Sequence, residues 1–169
     1  MSESSSLGGK VDRYFDLHAR IEDAIRSDDY RTVASCVKNS IPLFQALVEE
    51  TKRDYGRFDI QRSVAVDKGG RVLAAMGDIV GLKEMHRRLE RIPELQDWRI
   101  FVEGLLEDVE IGEKIIAVVK QTPGIRQFDM KGTVGTADGR RIATICLWLE
   151  KVGRLRRERQ GRSFTLSPR

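Results

Sequence analysis

The run from Ile142 to Leu166 constrains the fold more tightly than any other part of the chain. Ile142, Ile145, Cys146 and Leu149 recur at three- and four-residue steps, which places them on one face of a helix. Asp138 stands where an N-cap oxygen is needed, and Gly153 stands where the helix must stop. Directly afterwards the apolar period changes to that of a strand. Leu155, Phe164 and Leu166 are the expected inward residues of a short β-hairpin with Gln160-Gly161 at its tip. A helix with one apolar stripe and a hairpin immediately behind it must fold onto each other or leave both stripes in water.

The polar residues of the same run are unevenly distributed. At ~100° per residue, Arg140, Thr144, Leu147 and Lys151 gather opposite the apolar stripe, while Arg141 and Trp148 share a flank. Arg156, Arg157, Arg159 and Arg162 surround the hairpin tip beside Gln160. Arginine's planar fork donates two hydrogen bonds at once, which suits it to phosphate oxygens. The charge balance points the same way: residues 111–169 hold 13 Lys+Arg against 5 Asp+Glu, whereas the first 110 hold 17 against 21. A basic unit joined to an acidic one is the pattern of a nucleic-acid module fused to a regulatory or dimerisation module.

Ahead of this run, Ile111, Ile115, Ile116 and Val119 predict a helix halted by Thr122-Pro123-Gly124. Ile125 to Lys131 predicts a second helix, with Ile125 and Phe128 facing inward. Gly132, Gly135 and Gly139 punctuate the turn that follows; no strand precedes them and no Gly-Lys-Ser/Thr follows, so they are not a phosphate-cradling loop.

The helix ending Leu149-Glu150-Lys151-Val152-Gly153 and the hairpin Leu155-Arg156-Arg157 through Gly161-Arg162-Ser163-Phe164-Thr165-Leu166 resemble the winged helix-turn-helix of small transcriptional regulators such as the MarR and ArsR families. The resemblance implies that the third helix of the unit reads a DNA major groove, that the wing lies on backbone phosphate, and that the protein acts as a homodimer. The implied contacts are Arg140, Arg141, Thr144 and Lys151 on the helix, and Arg156, Arg157, Arg159, Gln160 and Arg162 on the wing.

The rest of the chain reads as helices. Residues 1–9 are serine- and glycine-rich and are expected to be a disordered tail. Tyr14, Leu17, Ile21 and Ile25 then mark one helix, and Ser27-Asp28-Asp29 breaks it and caps a second from Tyr30 to about Asn39. Pro42 is expected to open a third helix, through Leu43, Leu47 and Val48 to about Tyr55, with Gly56 as its stop. A break, a helix and an Ile-Pro recur about 50 residues later, from Gly77-Asp78 to Ile92-Pro93. Gly70, Leu73, Gly77-Asp78, Leu82 and Pro93 in this second copy resemble a tetratricopeptide unit, which implies stacked helical hairpins.

Residues 63–75 admit two readings, helix or strand–turn–strand, since Asp67-Lys68-Gly69-Gly70 is also turn chemistry. The repeat favours helix. Leu95, Trp98, Ile100, Phe101, Leu105 and Leu106 predict a further helix ending near Asp108. The expected architecture is therefore mainly α: a tail at 1–9, a helical-repeat module at 10–108, and a winged helix with a short β-hairpin at 109–169.

Other classes receive little support. Cys36, Cys146, His18 and His86 have no metal-ligand spacing and no nucleophile–base arrangement, so buried reduced thiols are expected and neither catalysis nor a cofactor is. No apolar run reaches the ~20 residues of a membrane span, and no leader pattern is present, so a cytoplasmic location is expected. The function expected is a regulator that binds double-stranded DNA, with the N-terminal helices serving dimerisation or signal input. The rival is an adaptor in which the helical repeats and the winged helix bind proteins, as in PCI-type assembly domains. Size-exclusion chromatography with mass measurement should return twice the chain mass; a monomer at micromolar concentration would contradict the expected homodimer.

Overall fold

The computed structural model describes residues 6–51, 64–135 and 138–169. They form a mainly helical protein with a small three-stranded antiparallel sheet near the C-terminus. Helix α1 (Leu7–Arg26) and helix α2 (Tyr30–Thr51) pack as a hairpin. The Ser6 hydroxyl accepts from Gly9 N, so helix begins inside the stretch expected to be a tail. A side-chain cap outweighs the low helix propensity of Gly8 and Gly9. At the turn between the helices Asp29 caps α2, its carboxylate accepting from Thr32 N at 3.1 Å and Thr32 Oγ1 at 2.6 Å.

Pro42 does not open a new helix. It lies within α2, which continues unbroken to Thr51. Proline removes one helical hydrogen bond, yet Ile41, Phe44 and Leu47 around it are almost completely buried, and that packing carries the helix through. The expected end at Tyr55 and Gly56 lies outside the described residues.

Val64–Lys68 form a π-helical turn that runs into α3 (Gly69–Met76), so this stretch is helical and not a hairpin. The paired glycines serve close approach: a Cβ at Gly69 would collide with Val37 of α2, and one at Gly70 would come within 2.7 Å of Leu105 Cδ1. Helix α4 (Ile79–Glu90) follows, capped by Asp78, whose Oδ1 accepts from Gly81 N at 2.9 Å.

After a short 3₁₀ turn, α5 runs from Gln96 to Gln121 without interruption. The end expected near Asp108 is absent. Glu107, Asp108 and Glu110 lie on the polar side of a helix whose apolar side continues through Val109, Ile115, Ile116 and Val119, so the two expected helices are one. Two apolar cores share this helix. Val102, Leu105 and Val109 join the core of α1 to α4, and Ile115, Ile116 and Val119 join the core of the C-terminal elements.

Beyond α5 the chain forms β1 (Ile125–Arg126), a 3₁₀ turn at Gln127–Asp129, α6 (Met130–Thr133), α7 (Gly139–Lys151), β2 (Leu155–Gln160) and β3 (Ser163–Pro168). The helix expected over Ile125–Lys131 is thus replaced by a strand and two short turns. Ile125 pairs with Leu166 and Arg126 with Thr165, so long-range ladder bonds displace the local helix. Phe128, expected inside, is 82% exposed. Among the described residues no helix is long and apolar enough to cross a membrane.

His18 lies in the first core, 4% exposed, with its ring centroid 4.3 Å from that of Tyr14. Neither ring nitrogen has a hydrogen-bond partner among the described residues. Burial pushes its imidazole down from the ordinary 6.5 to about 4. A depressed folded-state value means the unfolded chain binds the proton first, so stability present above pH 6.5 is lost as the pH falls toward 4. Urea unfolding should show a loss of about 2 kcal/mol between pH 7 and pH 5. His18→Leu should remove most of that slope, and an unchanged slope would place the titration elsewhere.

Candidate functional site

Helix α7 and the β2–β3 hairpin carry the residues singled out by the sequence, and their surroundings divide those residues into two groups. Asp138 caps α7, its Oδ1 accepting from Arg141 N at 2.8 Å. Ile142, Ile145, Cys146 and Leu149 are buried as the spacing predicts. Cys146 is a packing group, its thiol pushed up to about 12 by burial, and both cysteines are free and buried. At the far end the helix closes with Arg154 N donating to Leu149 O at 2.8 Å.

The first group of arginines is committed to structure. Arg141 Nε donates to Asp108 Oδ1 at 2.6 Å, and its Nη2 reaches Glu107 at 3.0 Å and Gly104 O at 2.9 Å, tying α7 to α5. Arg154 pairs with Glu113 at 2.8 Å and donates to Ala75 O at 3.1 Å. Arg157 is the sharpest departure from expectation. In the hairpin register it stands opposite Leu166, on the inward side, with its guanidinium 4.1 Å from the Phe164 ring centroid. It donates to Gln127 Oε1 at 3.1 Å and pairs with Glu150 at 3.3 Å, and its side chain is only 9% exposed. An inward strand position holds this arginine because ring stacking and two polar partners satisfy it.

The second group faces solvent. Arg140 at the start of α7, and Arg159 and Arg162 at the hairpin end, are exposed and form no salt bridge among the described residues; Arg140 lies in the field of Asp138, and Arg159 Nε donates to Gly161 O at 3.3 Å. The hairpin turn is Gly161-Arg162, one residue beyond the expected tip, because Gln160 pairs with Ser163. Gly161 has φ +61° while Arg162 is not left-handed, the pattern of a type II′ turn. Gln160 is exposed on the outward side with Arg156, which pairs with Glu158 at 3.1 Å.

Thr144 is partly withdrawn from the outward face, whereas Lys151 stays exposed. The Thr144 hydroxyl donates to Arg140 O at 3.0 Å, and the residue faces Arg71, Ala74 and Leu105 across a small cavity. Lys151 Nζ lies 5.0 Å from the Trp148 ring centroid. With Leu147 and Met76 it borders a groove whose other wall is Asp28 and Asp29 at the α1–α2 turn. The acidic module therefore borders α7 from Thr144 to Lys151, and Arg140 at the start of the helix stays exposed.

Three residues that the sequence did not single out belong with the exposed group. Arg126, Phe128 and Lys131 are exposed on β1, the 3₁₀ turn and α6. Phe128 and Lys131, together with Gly139, Arg162 and Phe164, border a cleft of about 420 Å³ between the turn, the start of α7 and the hairpin end. A cation on each side of Gln127-Phe128 was a usable signal in the sequence. It was masked by reading Ile125 and Phe128 as one helix face.

No family model, no curated protein and no solved structure matches the chain.

The two groups of arginines should respond differently to truncation. Arg141→Ala leaves Asp108 without its partner and should lower stability by about 2 kcal/mol in urea unfolding. Arg140→Ala should change it by less than about 0.5 kcal/mol. Equal effects would contradict the division.

Proposed function

We propose that the C-terminal elements form a winged helix that binds double-stranded DNA, and that the chain is a DNA-binding transcriptional regulator. The observation that carries this reading is the set of exposed cations without a salt bridge on the C-terminal elements, Arg126, Lys131, Arg140, Arg159 and Arg162, of which Lys131 and Arg162 border one cleft, while neighbouring arginines are consumed by carboxylates. Exposed guanidinium groups without acidic partners retain their full attraction for phosphate.

The order helix, strand, helix, helix, strand, strand supports the reading, since it sets α7 beside a projecting hairpin. In it, α7 enters the major groove by its N-terminal half, with Arg140 at a base edge or flanking phosphate. Arg159 and Arg162 lie on the backbone as the wing tip. Arg141 and Arg157 are positioning residues that hold α7 and the wing. The helices before α5 form a tetratricopeptide-like module for dimerisation or signal input.

One observation favours the adaptor reading instead. Leu147 and Met76 are both 38% exposed and border a groove that also holds Asp28, Asp29, Arg31 and Lys151, which would suit a partner helix with apolar residues and charges of both signs. Duplex binding separates the two. With about four phosphate contacts, affinity for a 20-base-pair duplex should fall about 100-fold between 50 and 200 mM salt, read by fluorescence anisotropy. Arg159→Ala with Arg162→Ala should flatten the salt slope by about two units on a log–log plot. Absence of duplex binding at 50 mM salt would sink the regulator reading and leave the adaptor.

A further inference from the structure

Phe128 is a large apolar side chain standing 82% in water, on a platform that is otherwise firmly built. Before it, Ile125 and Arg126 are laddered to β3. On the turn itself, Gln127 accepts from Arg157, and beyond it Met130 is completely buried in the second core. The ring is held outward by its neighbours' attachments. An exposed phenyl group forgoes the burial that an apolar side chain gains in a core.

The surroundings identify the chemistry that would cover the ring. Lys131, one turn on, and Arg162, at the hairpin end, border the same cleft. Phe164 supplies a half-buried aromatic wall, already stacked on one side by Arg157. The acids of this region are Asp129 on the turn and Asp138, whose carboxyl is held below the usual carboxylate range by the backbone N–H of Arg141. Around the ring the cleft offers Phe164 and Ile142 as apolar walls and Lys131 and Arg162 as cations. An aromatic face flanked by unpaired cations is the pattern that binds an unstacked base and its phosphates. At about 420 Å³ the cleft falls within the roughly 300–1,000 Å³ of ligand-binding clefts.

We propose that this cleft takes an unpaired nucleobase, stacked on Phe128 with its flanking phosphate on Lys131, so that the preferred ligand is duplex DNA carrying a single-stranded extension. This rests on the DNA-binding reading above and names its substrate class. The duplex part occupies α7 and the wing, and the unpaired strand turns into the cleft beside them.

The test compares a labelled 20-base-pair blunt duplex with the same duplex carrying six unpaired thymidines at one 3′ or one 5′ end, by anisotropy at fixed salt. One of the extended ligands should bind about tenfold more tightly than the blunt one, within the range expected for a base stacked on an aromatic ring. Phe128→Ala should abolish that gain and leave blunt-duplex affinity within twofold, while Phe128→Trp should keep it and show quenched tryptophan emission on binding. Thermal unfolding by circular dichroism should be unchanged in both variants, because the ring is exposed. Equal affinity for blunt and extended ligands overturns this inference alone, as does an equal loss on both ligands in Phe128→Ala. Binding of the extension without the blunt duplex overturns only the duplex reading, and no binding of any ligand overturns both.

Discussion

Helix α5 is the member on which the rest of the structure hangs. Its 26 residues span about 39 Å, and it gives successive stretches of one apolar side to two cores, which also meet at Trp148 and Val152. Because it does not break at Asp108, the two halves of the chain have no linker to swing on. Arg141 reinforces this from the other side, with Asp108, Glu107 and the Gly104 carbonyl all on α5. The orientation of α7, and with it of the exposed cations at its start, is set by a helix that is itself half embedded in the acidic module.

The same residue type performs opposite tasks within a few positions. Arg157 and Arg159 both occupy strand positions on one side of β2, yet one is stacked and paired while the other lies beyond the reach of the core. Position along the strand decides the difference: the inward side is covered by Phe164, Gln127 and Glu150 near Arg157, and opens to water at the turn. A count of arginines therefore overstates the charge offered to a partner. What the surface presents is the subset that no carboxylate has neutralised.

The sequence revealed what short-range spacing controls. The buried stripe of α7, its Asp138 cap, the break at Ser27-Asp28-Asp29 and the hairpin all follow from neighbours within a turn or two. It missed what distant partners decide. Ile125 and Arg126 form strand because Leu166 and Thr165, some 40 positions later, complete their ladder, and that pairing turned Phe128 outward. Pro42 reads as a helix opener by local rule, but the packing of Phe44 and Leu47 keeps α2 continuous. Of the site, Arg140, Arg159 and Arg162 were legible as exposed cations. The withdrawal of Arg141 and Arg157 depended on Asp108 and on the hairpin register.

The strand order β1-β3-β2 has a consequence for the way this part of the protein comes into being. The central strand is the last of the three in the chain, so β1 and β2 have no partner to bond until Ser163–Pro168 has been made. Leu166, completely buried, closes the second core in the same event. During synthesis from the N-terminus, α1 to α5 can collect their own core first, and the sheet then zips from its middle outward. The surface that gathers Phe128, Lys131 and Arg162 is consequently late to appear, and a nascent chain presents its acidic half before its basic one.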